Sequence, residues 1–246
     1  MDTPDKGRLF IVANGPSINE VDLDLLIGEQ AWGMNRIHLK YPEIQWRPNR
    51  WFWGDHPQEA WQLEELFMHV ENYPGEECWV RSDMCEMLLG QYKPHGDDWP
   101  FYDELPEHVT NWGFCVKHAA RFHSDRAPKE PHWISPTEFC KPTSTAYVAW
   151  MSGIWEGYDP IIFLGTDAGF RPAVDGEQQQ THFHPGYYAG HVKTSEKTAD
   201  RINAMLAWEH DVMQNWAAAN GRQILLASPG GTIESHPRVK FEDLFA

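Results

Sequence analysis

Three polar turns, Asn14-Gly15-Pro16-Ser17, Asn35-Arg36 and Gly54-Asp55-His56, each close a short run of apolar residues. If those runs are parallel neighbouring strands, the turns meet in one crevice, the place where open α/β sheets bind ligands. A carboxamide carries both a donor and an acceptor, so Asn14 and Asn35 can read a base or a ribose. Taken singly, each amide can equally serve its own loop backbone. Gly15 tolerates positive φ, Pro16 suits the first position of a helix, and Ser17 puts a hydroxyl beside unpaired backbone N–H groups, a combination that suits phosphate. The turn is neither a P-loop nor a GxGxxG motif, because the lysine and the glycine spacing are absent. Thr143-Ser144 offers a second cluster of hydroxyls and N–H groups, fit either for an anion or for plain helix capping.

Histidines supply the proton chemistry. The stretch THFHPGYYAGHVK, residues 181–193, holds His182, His184 and His191. On a strand His182 and His184 share a face, and a neutral imidazole accepts a proton from an attacking hydroxyl. Paired with Asp167 or Asp175 the two could instead ligate a metal, although no HExxH or Cys/His framework accompanies them.

These groups need strands and helices to position them. Leu9 to Val12 reads as a strand covered on both faces, followed by a short helix or turn at 21–26 and a second strand from Ala31 to Asn35. Trp51-Phe52-Trp53 and Cys78-Trp79-Val80 are further strands, and Pro57 opens a helix from Gln58 to Val70 with Leu63, Leu66 and Phe67 on one face. Residues 86–142, rich in Pro, Gly, His and aromatics, read as a loop-heavy, lid-like insertion. A helix capped by Thr143 or Ser144 runs through Trp155, apolar nearly all round and hence buried, and Gly157 ends it. Ile161 to Leu164 is a strand stopped by Gly165-Thr166-Asp167; a long helix from about Thr198 to Asn220 is capped by Gly221; Ile224-Leu225-Leu226 is the last strand. The alternation predicts a single α/β domain over 1–246: a Rossmann-like, mostly parallel sheet with helices on both faces and a ligand at the strand C-termini.

Composition narrows the ligand. Lys and Arg total 20 against 36 Asp and Glu, a formal charge of −16 with neutral histidine. A nucleic acid or an anionic membrane is therefore a disfavoured partner, whereas a small anion held by backbone N–H groups is not. Cys78, Cys85, Cys115 and Cys140 show no CxxC spacing and are too sparse for a disulfide framework. Neither a signal peptide nor a membrane-spanning run is legible, so the expectation is a cytoplasmic protein, with homo-oligomerisation left open. The chain carries 13 tryptophans, which can pack the core or stack on a sugar or base.

The segment VANGPSINEVDLDLLIGEQAWGMNRIHL (12–39) resembles the opening of the bacterial sialyltransferases that use cytidine monophosphate-activated sialic acid. It is also similar to their uncharacterised relatives in surface-polysaccharide and phage genomes. TSTAYVAWMSGIWEGYDPIIFLGTDAGF (143–170) resembles that family's Thr-Ser helix, Gly-Tyr turn and strand ending Gly-x-Asp, and NGRQILLASPGGTIESHPRVKFEDLF (220–245) is similar to the tail of many of those relatives. The resemblance implies a glycosyltransferase that moves a sugar from a nucleotide-sugar donor to an acceptor hydroxyl of a small molecule or glycan, with no metal and no other cofactor. It places Asn14, Asn35 and Asp55 along the nucleotide pocket, with Thr143 and Ser144 on the cytidine or phosphate side; Gly15, Pro16, Ser17 and Asp167 at the same strand ends are expected to complete that pocket. The family's catalytic base lies in a Gly-His-Ser turn, matched by Gly190-His191-Val192; His182, in a His-Phe pair found in many relatives, is its rival.

Two departures stand out. The family sets tyrosine hydroxyls on the departing phosphate, but Ala168-Gly169-Phe170 follows Gly-x-Asp here, so Tyr187 or Tyr188 would take that role. Asp55 stands where the family has an amide, which suits ribose hydroxyls better than phosphate. More distant relatives transfer diphosphate to a pterin, so the competing readings are a metal-dependent phosphoryl- or diphosphate-transfer enzyme built on His182, His184 and Asp167, or a non-catalytic nucleotide- or glycan-binding protein.

Overall fold

The computed structural model describes residues 6–55, 60–93, 101–114, 133–135, 137–139, 144–175, 177, 179–187 and 194–246. Among these residues nine strands, β1 (Leu9–Val12), β2 (Ala31–Met34), β3 (Arg50–Trp53), β4 (Glu77–Arg81), β5 (Val109–Phe114), β6 (Trp133–Ser135), β7 (Glu138–Phe139), β8 (Ile161–Leu164) and β9 (Ile224–Leu226), form one sheet. Their order is β6-β7-β5-β4-β3-β2-β1-β8-β9. The seven strands from β5 across to β9 are all parallel; β7 continues parallel beside β5, and β6 turns back antiparallel. The chain thus builds outward from β1 through β5, returns to the opposite side of β1 for β8, and ends on β9. The order reverses between β1 and β8, where the loops leaving adjacent strand ends diverge and open a crevice.

Strands of this kind must be apolar on both faces, and β1, β2, β3 and β8 are buried at every residue. Alternation along β1 feeds two cores: Phe10 and Val12 pack with Leu63, Leu66 and Val70 of α1 (Ala60–Asn72) and with Met84 and Cys85 of α2 (Ser82–Leu88). Leu9 and Ile11 face the other layer, α3 (Thr145–Glu156) and α4 (Glu196–Ala219), through Val148, Met151, Met213 and Ala217. The α/β, Rossmann-like architecture with helices on both faces is the one the sequence predicts. Among the described residues no helix is long and apolar enough to cross a membrane.

Helix α3 fixes one wall of the crevice. Ser144 caps it by accepting the Tyr147 N–H, and Gly157 ends it at φ +95°. Where α3 crosses β1, a Cβ on Gly153 would fall 2.7 Å from Leu9 Cδ2, so a glycine lets the helix lie close against the sheet with its N-terminus over the strand ends.

Local readings shift in three places. Val109–Phe114 lies within the 86–142 segment read as loop-heavy, yet it is β5 of the parallel sheet, paired with β4 from Val109 to Trp112 and with β7 beyond. Its buried Val109 and Trp112 are separated by polar residues, so no continuous apolar run marks it. Residues 181–187 are a bend closed by a 3-10 turn at Pro185–Tyr187 instead of a strand. Helix α4 starts at Glu196 behind Ser195, and its C-cap is Asn220, with Gly221 following at φ +64°. The proposed helix opening at Pro57 lies outside the described residues.

Candidate functional site

A cleft of about 400 Å³ sits at the C-terminal ends of β1, β2, β3 and β8, at the reversal in strand order. Asn14, Gly15, Asn35, Asp55, Ser144, Asp167, His182 and Tyr187 all line it. Ser17 stands just behind, bonded to Asp167. Thr143, Tyr188 and His191 lie outside the described residues.

The Gly15-Pro16-Ser17 turn is occupied from within. Asp167 Oδ2 accepts the Ser17 N–H at 2.8 Å and Oδ1 accepts its hydroxyl at 2.5 Å. The surrounding backbone closes tightly on this carboxylate: a Cβ on Gly15 would lie 2.5 Å from Asp167 Cγ, and one on Gly231 would lie 2.6 Å from Asp167 Cα. Donors that the sequence reading offers to a ligand phosphate are therefore already bound to an internal anion.

Asn14 and Tyr187 form the next wall. Asn14 Nδ2 donates to the Met34 carbonyl at 3.0 Å and to the Tyr187 hydroxyl at 3.1 Å, while its Oδ1 is buried with no hydrogen-bond partner among the described residues. Thr166 Oγ1, also at the cleft, is unpartnered too. Buried acceptors left in this state carry a cost that a ligand donor would relieve. His182 stacks on the Tyr187 ring at 3.8 Å, and its Nδ1 lies 2.9 Å from Thr181 Oγ1. Burial, with the nearby Arg36 charge, lowers its pKa from 6.5 to about 3. His184 does not join it: its Nδ1 accepts the Gly186 N–H at 3.1 Å, and it does not line the cleft. The bend at 182–187 thus separates the two histidines that a strand would have aligned, and with Asp167 committed to Ser17 the His182, His184 and Asp167 trio is not brought together.

On the far side, Asn35 adopts φ +44°, and its Oδ1 accepts from Gly54 N at 3.0 Å and from Thr145 Oγ1 at 3.4 Å. It ties β2 to β3 and to the first turn of α3, leaving its Nδ2 without a hydrogen bond among the described residues. Arg81, at the end of β4, donates to the Gly54 carbonyl and clasps Asp83 through Nε and Nη2 at 2.7 and 2.8 Å. Arg81, Gly54 and the N-terminus of α3 therefore form one corner, carrying a guanidinium and the positive end of a helix. Asp55 shares that corner. Its side chain reaches solvent through the opening, yet crowding by the walls raises its pKa, opposed by the Arg81 and Arg36 charges.

The sequence reading missed His210. It projects from the middle of α4 into the cleft lining, and its Nδ1 lies 2.7 Å from Nε2 of His236. The two are 26 residues apart and share no motif, so only the fold joins them. Glu209, next to it, is buried and accepts the Ser144 N–H at 3.1 Å, anchoring the α3 cap to α4.

Fold and cleft together define a doubly wound α/β protein with its cavity at the topological switch point. Over 98% of its length the chain is similar in structure to the MAf glycosyltransferase from Magnetospirillum magneticum AMB-1, with a TM-score of 0.50 and 15% sequence identity. The match covers 34% of that chain, so the protein spans about a third of the length of that glycosyltransferase, and the likeness is one of fold. No family model and no curated protein matches the sequence.

Proposed function

We propose that the protein binds a nucleotide sugar in this cleft and transfers the sugar to an acceptor hydroxyl without a divalent metal. The observation that carries the reading is the convergence at the switch point of Asn14 Oδ1, Thr166 Oγ1 and Asn35 Nδ2, each without a hydrogen bond among the described residues, beside the first turn of α3 and the Arg81 guanidinium, whose charge is shared with Asp83. The amide and hydroxyl groups suit the edges of a base and ribose, and the corner suits a phosphate. Because Asp167 fills the Gly15–Ser17 turn, the phosphate goes to the α3 side, where Ser144 stands, while Asp55 takes ribose hydroxyls. Tyr187 donates to the leaving phosphate oxygen. A cleft imidazole takes the acceptor's proton, and His182 is the histidine named from the sequence that lines this space. Cytidine monophosphate-linked sialic acid is the donor that the sequence resemblance favours, and a glycosyltransferase of similar fold supports the transfer chemistry.

Nucleotide release from cytidine-, uridine- and guanosine-linked sugars, measured with and without EDTA, tests this. One donor is expected to turn over equally in both, and Arg81→Gln to weaken its binding by about 10- to 100-fold, the loss of one charge-assisted hydrogen bond. Turnover abolished by EDTA would replace this reading with metal-dependent phosphoryl transfer, and binding without turnover would leave a nucleotide-binding protein.

A further inference from the structure

Among the described residues two imidazoles line the cleft, His182 and His210. His210 belongs to a chain of three side chains: its Nδ1 meets His236 Nε2 at 2.7 Å, and His236 Nδ1 meets Gln214 Oε1 at 3.0 Å. His210 and Gln214 are four residues apart on α4 and share a face, and His236 comes in from the C-terminal segment.

The polarity of the chain follows from its end. An amide oxygen only accepts, so His236 Nδ1 carries the proton. A neutral imidazole has a single N–H, so His236 Nε2 accepts and His210 Nδ1 carries the next proton. His210 Nε2, on the opposite edge of the ring from His236, is then a bare lone pair, with no hydrogen-bond partner among the described residues. Both rings are 3% exposed, and burial keeps them neutral, with His236 lowered to about 4 and His210 well below its ordinary value. Phe163 fixes them by stacking on His236 at 5.8 Å and meeting His210 edge-on at 5.2 Å. His182, by contrast, has Nδ1 engaged by Thr181 and its face against Tyr187.

We propose that His210 is the general base of the sugar transfer, with His236 and Gln214 as positioning residues that fix its tautomer. The proposal rests on the glycosyl-transfer reading above. The acceptor's O–H bond breaks and its proton moves to His210 Nε2, while the oxygen bonds to the anomeric carbon. The bond from that carbon to the donor's phosphate oxygen breaks, and its electron pair leaves with the phosphate. The imidazolium formed is shared through the short bond to His236, where the Asp211 charge favours a cation.

Long-range 15N NMR of the imidazoles, read beside donor turnover, tests the assignment. Wild-type His210 is expected as the single Nδ1-protonated tautomer. His236→Gln keeps it, because its amide oxygen accepts the same N–H, and His236→Phe gives a tautomer mixture. His210→Asn retains a donor toward His236 and should lose about 100-fold or more in kcat with little change in KM for the nucleotide sugar; His236→Phe should lose kcat in part, and His236→Gln restore it. An Nε2-protonated His210, or wild-type turnover retained by His210→Asn and lost in His182→Asn, overturns the base while leaving sugar transfer standing. Absence of turnover in the wild-type protein overturns the transfer reading and the base together.

Discussion

Asp167→Ala is expected to lower the stability of the protein by about 2–3 kcal/mol and its Tm by about 4–12 °C. The carboxylate accepts both the Ser17 N–H and the Ser17 hydroxyl in a buried turn. Removing it strands two donors in a turn where the backbone of Gly15 and Gly231 packs directly against Asp167. A water entering the gap recovers part of the loss, which bounds the effect from above. Asp167→Asn keeps an acceptor for the N–H and a donor for the hydroxyl and should cost less than half as much. Urea denaturation of the two variants measures this. An unchanged midpoint in Asp167→Ala would return the turn's donors to a ligand phosphate, and the phosphate would then belong beside Ser17 instead of Arg81.

Acidification is expected to destabilise the fold steeply between pH 6.5 and about 4. Burial first, and neighbouring positive charge second, lower His69 to about 2 and His182 to about 3. Burial likewise lowers His236 to about 4 and His210 well below its ordinary value. Once the pH falls below 6.5 the unfolded chain protonates these rings and the folded chain does not, so unfolding takes up protons and stability falls; above 6.5 they add no slope. His182 faces cleft water and contributes less than a full proton. Glu76 acts in the opposite sense: burial raises it from 4.5 to about 7, so the folded chain holds a proton there that the unfolded chain has released, and this contribution to stability is lost as the pH rises through that interval. The balance near pH 5 is an uptake of about two to three protons, or about 3–4 kcal/mol per pH unit. Denaturant midpoints at pH 7, 6 and 5 give the slope, and His69→Phe, which replaces the imidazole stacked on Trp51, should reduce the uptake by about one proton. A flat profile would mean that the buried histidines are not held neutral, and the fixed tautomer of His210 would fall with it.

The parts of the fold that the sequence discloses are those where composition alone decides. β1 and β8 are apolar throughout and α3 nearly all round, and Asn14, Gly165 and Gly157 follow them with backbone preferences that end the element. β5 escapes because Thr110 and Asn111 interrupt its apolar residues; it is held by pairing with β4, a long-range term that no local window contains. The strand ends of the cleft are legible for the same reason as the strands: Asn14, Asn35 and Asp55 come within two residues of the ends of β1, β2 and β3. What those groups do there is not legible. Asp167 and a ligand phosphate offer the Ser17 donors the same chemistry, and only the fold shows which one arrives. His182 and His184 alternate in sequence, but the chain bends at 182–184, just ahead of the 3-10 turn at Pro185–Tyr187, and parts them. His210 and His236 give no spacing signal, since their contact is made by packing α4 and the C-terminal segment on Phe163.

The central claim is that the crevice between β1 and β8 is a nucleotide site, and the side-chain amides of Asn14 and Asn35 report on it directly. Their 15N–1H resonances should be followed while cytidine, uridine, guanosine and adenosine monophosphates and the matching nucleotide sugars are titrated into the folded protein. One nucleotide should shift both amides saturably and together, since Asn14 Oδ1 and Asn35 Nδ2 line the cleft with no hydrogen bond among the described residues. If every nucleotide leaves both amides unmoved, the crevice does not bind nucleotides and the proposed function is wrong.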